Sequence, residues 1–288
     1  MKAIKLLCVC LSVLMFAACS NEDMPETRSE FKVVSSILPL TRAPQLDQNG
    51  AGHFVNGDKN TVFFQSQEQQ NLLKFTYTYG DKYYWQDLGL PANEKSVKVS
   101  ACYPAVDVLE PAAYEWNVLS QADSDLLVAA PVAANTESSE PVSLSFTHAL
   151  HKLVVELQAD GTTMQSGDLK DAEISVNNFM PVAVVNFLSG KATSAKGELS
   201  KMAKKGTSAA FIVPAQAVGT MQIIVKLGNR EAKYDLSSCQ VSGQPLQNLL
   251  SGQSFKLKIK VSKSSFSIVG QNISGWGSQG ESEGTIII

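Results

Sequence analysis

Side chains that commonly carry out catalysis or bind metals are few in this chain. The three histidines, His53, His148 and His151, form neither an H-E-x-x-H nor an H-x-x-x-H pattern, and no cysteine pair has zinc-site spacing. The sequence also lacks G-x-S-x-G, a P-loop and G-x-G-x-x-G. The carboxylates of Asp123 and Asp125 could attract calcium, but the rest of an EF-hand loop is missing. The sequence therefore predicts no catalytic residue, no metal site, no cofactor and no enzymatic activity.

The cysteine with the clearest chemical role is Cys19. It follows an apolar run over residues 6–18 that is preceded by Lys2 and Lys5 and is too short to span a bilayer, as in a secretory signal peptide. The small residues directly before Cys19 resemble the bacterial lipobox, in which the cysteine thiol is acylated. We therefore predict that residues 1–18 are removed and that Cys19 anchors the chain in a membrane. The alternative is an ordinary signal peptide with an accidental cysteine.

After removal of the signal peptide, two cysteines, Cys102 and Cys239, remain besides Cys19. An exported protein can form a disulfide, but these residues are far apart in sequence, and two buried thiols are an equally good interpretation. The acidic cluster Asn21-Glu22-Asp23 resembles the surface-export signal of Bacteroidetes lipoproteins, although a charged, solvated tether has the same composition. The mature chain has 22 Lys and Arg against 27 Asp and Glu, since only Lys2 and Lys5 are lost from the 24 of the full sequence. This balance gives no indication of nucleic-acid binding.

The hydrophobic pattern predicts a β-protein throughout. The central element lies within residues 142–157, where buried positions change from even numbers to odd numbers. A strand with one buried face cannot tolerate that change, so the chain must bulge, bend or change its partner strand near residues 148–152. The clearest alternation elsewhere is Phe255, Leu257, Ile259 and Val261 against intervening lysines. Residues 105–140 have little periodicity and are predicted as a surface excursion, and residues 245–250 as the one short helix.

Length and turn signals indicate two domains. A polar, glycine-containing stretch at residues 161–168 is the predicted linker, which divides the chain into domains at 43–162 and 163–288. Before them, residues 31–40 are apolar enough for one strand, and Thr41-Arg42-Ala43-Pro44 follows at once. Arg42 therefore offers a trypsin-like cleavage point between a tether-and-strand segment, 19–42, and the first domain.

A family resemblance joins these features. The chain resembles the Bacteroidales fimbrillin family, particularly its Mfa-like lipoproteins, through the lipobox and an ordered set of motifs: Thr41-Arg42-Ala43, Ala101-Cys102-Tyr103-Pro104, Ser124-Asp125-Leu126-Leu127-Val128-Ala129, Phe146-Thr147-His148-Ala149-Leu150-His151-Lys152-Leu153, Phe211-Ile212-Val213-Pro214 and Ile273-Ser274-Gly275-Trp276. Cys102 stands where the family usually has an additional tyrosine. The resemblance implies two transthyretin-like β-sandwich domains in tandem, export to the outer-membrane surface as a lipoprotein, and assembly with other subunits into a type V fimbria.

The resemblance also implies a processing step. Cleavage between Arg42 and Ala43 would remove the strand within residues 31–40, and a strand of another subunit would fill the vacated groove. We predict that this donor lies within residues 264–288, around Ile273, Trp276, Ile286, Ile287 and Ile288, although packing of this segment in its own domain is an equally good interpretation. The alternative function is a surface glycan-binding lipoprotein of a polysaccharide-uptake system, in which residues 31–43 stay uncut.

Overall fold

The computed structural model describes residues 28–37, 53–66, 72–121, 125–241 and 243–275. Within these ranges the chain forms β-strands and three short 3₁₀ helices, Trp85–Asp87, Ser166–Leu169 and Leu236–Ser238. The all-β prediction is confirmed. None of the described helices is long and apolar enough to cross a membrane.

The strands fall into two groups along the chain. The first group comprises β1 (Glu30–Phe31), β2 (Val33–Ile37), β3 (Lys59–Ser66), β4 (Leu72–Thr78), β5 (Tyr83–Tyr84), β6 (Ser96–Tyr103), β7 (Tyr114–Asn117), β8 (Leu127–Asn135) and β9 (Val142–His148). The second group comprises β10 (His151–Ala159), β11 (Glu173–Phe179), β12 (Val182–Asn186), β13 (Lys191–Lys196), β14 (Ser200–Lys205), β15 (Ser208–Val213), β16 (Gln216–Ala217), β17 (Gln222–Leu227), β18 (Arg230–Asp235), β19 (Gln240–Val241), β20 (Gln244–Pro245), β21 (Asn248–Leu249), β22 (Gln253–Val261) and β23 (Phe266–Gly275).

The first sheet has six strands in the order β2-β9-β8-β6-β3-β4. Both of its faces are covered, because Val62 and Phe64 enter one hydrophobic cluster, the first core, whereas Phe63 between them enters another, the second core. A strand buried on both faces contains a continuous apolar run rather than an alternating one. This explains why Val62-Phe63-Phe64 is apolar without a break.

The chain leaves the first sheet where the sequence predicted a change of phase. β9 places Leu144 and Phe146 in the first core, and β10 places Leu153 and Val155 in the second core. Between them, residues 149–150 carry the chain into the second sheet, β15-β10-β22-β23. Of the three predicted possibilities, a bulge, a bend or a change of partner strand, the structure shows the change of partner strand.

The second core lies mainly between the second sheet and the third sheet, β14-β11-β17-β18. The alternation predicted for β22 is confirmed: its four apolar residues are 0–1% exposed and its lysines lie on the opposite face. Likewise, Ile223 and Val225 of β17 point into the second core. A strand with this period-two pattern buries one face in the core, and the side chains of its other face point away from the core.

The two strand groups make close contact. Phe63 of the first sheet stacks on Phe187, with ring centroids 5.4 Å apart, and the Gln65 side chain donates a hydrogen bond to the Leu188 carbonyl, 3.1 Å away. Gly190 has φ of 65°, and a Cβ there would lie 2.6 Å from the Ala130 Cα, so only glycine allows this approach.

Two local predictions are wrong. Residues 105–140 are not a surface excursion, because they contain β8 of the first sheet and β7, which pairs with β12 in a fourth sheet of order β13-β12-β7. Residues 245–250 form no helix; Gln244–Pro245 and Asn248–Leu249 are short strands paired with β19 and β16. β7 and β21 find their partners, β12 and β16, far away in sequence, so local periodicity carried little information about these two strands. The domain boundary at 162/163 stays a prediction, although β10, which precedes it, lies in a sheet of the second group.

Candidate functional site

The N-terminal strand segment, β1 and β2, pairs with two different elements, and β2 lies at the edge of the first sheet. β1 pairs antiparallel with β5, and β2 pairs parallel with β9 from Val33 opposite Val142 to Ile37 opposite Phe146. The part of the predicted strand at residues 31–40 that the structure describes is therefore a strand. One edge of β2 has no partner strand among the described residues, since β2 ends the first sheet. A strand in this position can leave without separating two other strands.

The inner side of this strand is deeply buried. Phe31 is 1% exposed, and Val33 and Ile37 are each 4% exposed. The Phe31 ring packs edge-on against three rings: Phe64 at 5.3 Å, Tyr77 at 5.6 Å and Trp85 at 4.6 Å between centroids. Burial of three side chains of this size contributes roughly 5–9 kcal/mol to stability. Removal of the strand would expose this aromatic slot to water.

Polar groups complete the slot. The Val33 N–H donates to the Tyr77 hydroxyl, 3.2 Å away, and burial raises the pKa of Tyr77, so this phenol stays protonated. The Tyr79 hydroxyl hydrogen-bonds with Ser35 and accepts a 3.1 Å bond from the Asn60 side chain, and burial raises the pKa of Tyr79 as well. The slot therefore presents uncharged hydroxyls and apolar pockets to whatever strand occupies it.

The outer side of the strand is open. Val34 is 48% exposed, and the hydroxyls of Ser36 and Ser145 meet at the surface, 3.3 Å apart. At the start of the strand, the backbone N–H of Trp85 donates to the Ser29 carbonyl at 3.0 Å, and the backbone N–H of Val142 donates to the Lys32 carbonyl at 2.8 Å. The strand is thus held by its buried face and by the edge that pairs with β9. Strand addition by another chain requires an arrangement of this kind.

Most of the predicted site residues lie outside the described residues, namely Cys19, Arg42, Ala43, Trp276, Ile286, Ile287 and Ile288. Ile273 is described. It lies in β23, opposite Phe255 of β22, and packs against the second core. In this structure the described part of the predicted donor segment is a strand of its own sheet, and the donor interpretation stays a prediction.

The aromatic slot was missed by sequence reasoning. In the aromatic run Tyr83-Tyr84-Trp85, Trp85 is 3% exposed and its indole N–H donates to the Ser138 carbonyl at 3.1 Å. The available signal was the alternation of Phe75, Tyr77 and Tyr79 close to these three aromatic residues. It could not show that Phe31 fills the space between them.

The contacts and burial of two histidines and two cysteines indicate that these side chains have structural roles. His148 Nδ1 contacts the Asp125 carboxylate, and His151 Nδ1 lies 2.9 Å from the Leu250 carbonyl. Burial lowers the pKa of His151 to about 4, so this ring is neutral at neutral pH. Cys102 and Cys239 are buried free thiols. Among the described residues, no three His, Cys, Asp or Glu side chains are grouped so that they could hold a metal ion.

Comparison with known proteins places this geometry in context. The sequence model of a family described as "Fimbrillin-like" matches residues 44–276. A Bacteroides uniformis protein named "Putative fimbrium subunit Fim1C" is 25% identical over 292 residues, which cover 91% of this chain and 92% of that protein.

Two solved structures show the same fold. A "putative cell adhesion protein" from Bacteroides uniformis has a TM-score of 0.66 and 19% sequence identity, covering 88% of this chain and 99% of that one. A "putative cell adhesion protein" from Bacteroides ovatus has a TM-score of 0.60 and 14% identity, with the same coverage of 88% and 99%.

Proposed function

We propose that this chain, which belongs to the fimbrillin-like family, is a non-enzymatic subunit of a fimbrium at the cell surface and contributes to adhesion. The related Bacteroides uniformis protein, which is similar over nearly its whole length, carries the name of a fimbrium subunit. The observation that supports an assembly role in this chain is the N-terminal strand, which has one buried face and one edge without a partner strand among the described residues. Its removal would leave an apolar slot ready for a second chain.

Strand exchange is the proposed route of assembly. Cleavage after Arg42 would separate residues 31–40 from the body of the protein, because that arginine follows the strand in sequence. The incoming strand would regain the burial that Phe31, Val33 and Ile37 provide here. Backbone hydrogen bonds to β9 would supply affinity, and alternate side chains entering the aromatic slot would set the register.

The partner in this exchange is another fimbrial subunit. The proposed donor follows β23, where Trp276 and the terminal residues Ile286, Ile287 and Ile288 supply apolar side chains. Acyl chains on Cys19 would hold the uncleaved protein on the outer membrane, with the N-terminal strand close to the anchor. Proteolysis would then both open the slot and release the subunit from the membrane.

The test compares two arginines on either side of the strand. Arg42→Ala should keep the strand in place and prevent assembly while leaving the protomer folded. Arg28→Ala is the matched control, because Arg28 precedes the strand and its guanidinium pairs with the exposed Asp87 and lies 4.3 Å from the Tyr84 ring. High-molecular-weight ladders that resist SDS, recovered from the surface of the host cell, provide the measurement.

We expect ladders for wild type and Arg28→Ala and none for Arg42→Ala. Ladders of equal strength for Arg42→Ala would rule out strand exchange triggered at this arginine. A wild-type protein that stays monomeric on the cell surface with its N-terminal strand uncut would favour the glycan-binding lipoprotein instead.

A further inference from the structure

The second sheet has an outward face with an unusual charge distribution. Lys152 of β10 and Lys256, Lys258 and Lys260 of β22 all point away from the second core, and we call this surface the lysine face. The three lysines of β22 occupy alternate positions, which are about 6.6 Å apart along a strand. Lys263, in the connection after β22, is also exposed.

Most cross-strand neighbours of these lysines are uncharged. Lys256 lies between Val154 of β10 and Asn272 of β23, and Lys260 lies between Gln158 and Ser267, whereas Lys258 lies opposite Glu156 of β10. Gly270 lies on the other side of Lys258, whose methylene groups are 3.5–3.8 Å from the position that a Gly270 Cβ would take. The long lysine stem thus covers the glycine backbone.

Acidic side chains are nearly missing from this surface. In the described strands of the second sheet, Glu156 is the one carboxylate, and its Oε1 lies 3.1 Å from Lys256 Nζ. The outward face of the third sheet also carries four lysines, Lys201, Lys205, Lys226 and Lys233, but three carboxylates accompany them: Glu173, Glu231 and Asp235. Glu231 lies 3.1 Å from both Lys226 and Lys233.

The difference extends beyond the two sheets. The described residues up to His148 contain 7 Lys and Arg against 11 Asp and Glu, whereas those after it contain 14 against 8. Positive charge is therefore concentrated in the second strand group, although the whole chain has a formal charge of -3. Within that group, the lysine face carries fewer carboxylates than the outward face of the third sheet.

We propose that the lysine face binds a linear anionic polysaccharide. An open sheet face with a row of cations fits an extended polyanion, because each neutralised charge releases a counterion and no deep pocket is needed. The side chains of Gln158 and Ser267 lie beside Lys260 and supply an amide and a hydroxyl that can bond to sugar hydroxyls. The choice of a glycan rests on the proposed function at the cell surface, where such polymers are the accessible polyanions.

Two other polyanions fit the same face less well. The outward positions of these four described strands carry no aromatic ring, and single-stranded nucleic acids usually need rings on which bases stack. The face also lacks an exposed large apolar side chain that could enter a membrane, because Val154 and Ile212 are half-buried. A second copy of the chain remains a competitor, and the experiment addresses it.

The experiment compares two triple variants of the mature chain that lose the same number of charges. Lys256→Gln, Lys258→Gln and Lys260→Gln alter the lysine face, while Lys201→Gln, Lys205→Gln and Lys226→Gln alter the third sheet. Binding to immobilised polygalacturonate, dextran sulfate and uncharged dextran is measured between low and moderate NaCl. A DNA oligonucleotide and phosphatidylglycerol vesicles serve as the competing polyanions, and thermal midpoints confirm that both variants fold.

We expect wild type to bind both charged polysaccharides but not dextran, with affinity that falls as salt rises. The lysine-face triple should bind at least about 10-fold more weakly and lose about one unit of salt slope per engaged lysine, whereas the third-sheet triple should stay within about 2-fold. Glu156→Gln removes the one carboxylate of the lysine face and should increase affinity above wild type. Equal losses in the two triples, no binding to either charged polysaccharide, or tighter binding to DNA or vesicles would each overturn the proposal.

Assembly is measured in parallel to separate this proposal from strand exchange. The lysine-face triple should form the same SDS-resistant ladders as wild type, because the aromatic slot lies on the first sheet. Loss of the ladders in this variant would show that the lysine face contacts another subunit, and would overturn the polysaccharide assignment. Loss of polysaccharide binding with normal ladders would leave the strand-exchange proposal untouched.

Discussion

The first and last described strands are held in different ways. β1 and β2 depend on side chains: Phe31, Val33 and Ile37 are at most 4% exposed, and β2 is paired with β9 over five positions. β23 depends on its backbone, because nine residue pairs join it to β22 while Phe266, Ile268 and Ile273 are only partly buried. A short strand that fills deep pockets can be replaced by another that fills them equally well. A strand joined along a long ladder belongs to its own sheet.

This contrast is consistent with the different roles in assembly that we propose for the two strands. In that proposal the N-terminal strand is exchanged, since its departure opens one slot and breaks few backbone hydrogen bonds. The C-terminal strand would stay in place, and the residues after Gly275 would extend from it toward a neighbour. Three experiments test the contrast, beginning with the one that should have the largest effect on stability.

Phe31→Ala should be strongly destabilising, because it empties the space between Phe64, Tyr77 and Trp85. Truncation of a fully buried phenylalanine costs about 3–5 kcal/mol in free energy of unfolding. Urea denaturation measures this change. Val34→Ala, on the exposed face of the same strand, should change stability by less than about 0.5 kcal/mol. Similar losses for both variants would show that pocket filling does not hold the strand.

Mild acid should weaken the second sheet rather than the slot. His151 on β10 has a folded pKa of about 4 against an ordinary value of 6.5, so folding favours the neutral ring. The stabilisation that comes from burying the neutral His151 ring is complete above pH 6.5 and is lost as the pH falls toward 4. The loss is about 2 kcal/mol at pH 5.

The control for the acid experiment is His151→Gln, which cannot titrate. The difference in unfolding free energy between pH 7 and pH 5 should be smaller in this variant than in wild type by about 2 kcal/mol. The slot should contribute nothing in this range, since burial raises the pKa of Tyr77 and Tyr79 and both stay protonated. An identical pH dependence in both proteins would mean that protonation of His151 does not lower the free energy of unfolding.

Deletion of the last five residues, 284–288, should have the smallest effect on stability. If these residues serve a neighbouring subunit, the truncated protein keeps its thermal midpoint but no longer polymerises after cleavage at Arg42. Calorimetry and the SDS-resistant ladder provide the two measurements. A midpoint lowered by several degrees would place the segment in its own domain, and normal ladders would exclude it as the donor.

Sequence reasoning succeeded where a strand has one buried face. The row from Phe255 to Val261 and the change of phase between Phe146 and Leu153 are both present in the structure as predicted. It failed at β7, a short strand whose partner, β12, is in the other strand group. It also failed at β20 and β21, which are two residues long each and have no measurable period.

The sequence by itself determined which side chains of β9, β10 and β22 are buried, because alternation is a local property of an extended chain. It also determined that the lysines of β22 stand in a stretch without acidic residues, since none lies between Asp235 and Gly275. Only the tertiary structure decided that Phe31 is enclosed by Phe64, Tyr77 and Trp85, residues brought to it by three different segments. Strand pairing depends on the burial that distant partners offer each other, and no local pattern records which partners will meet.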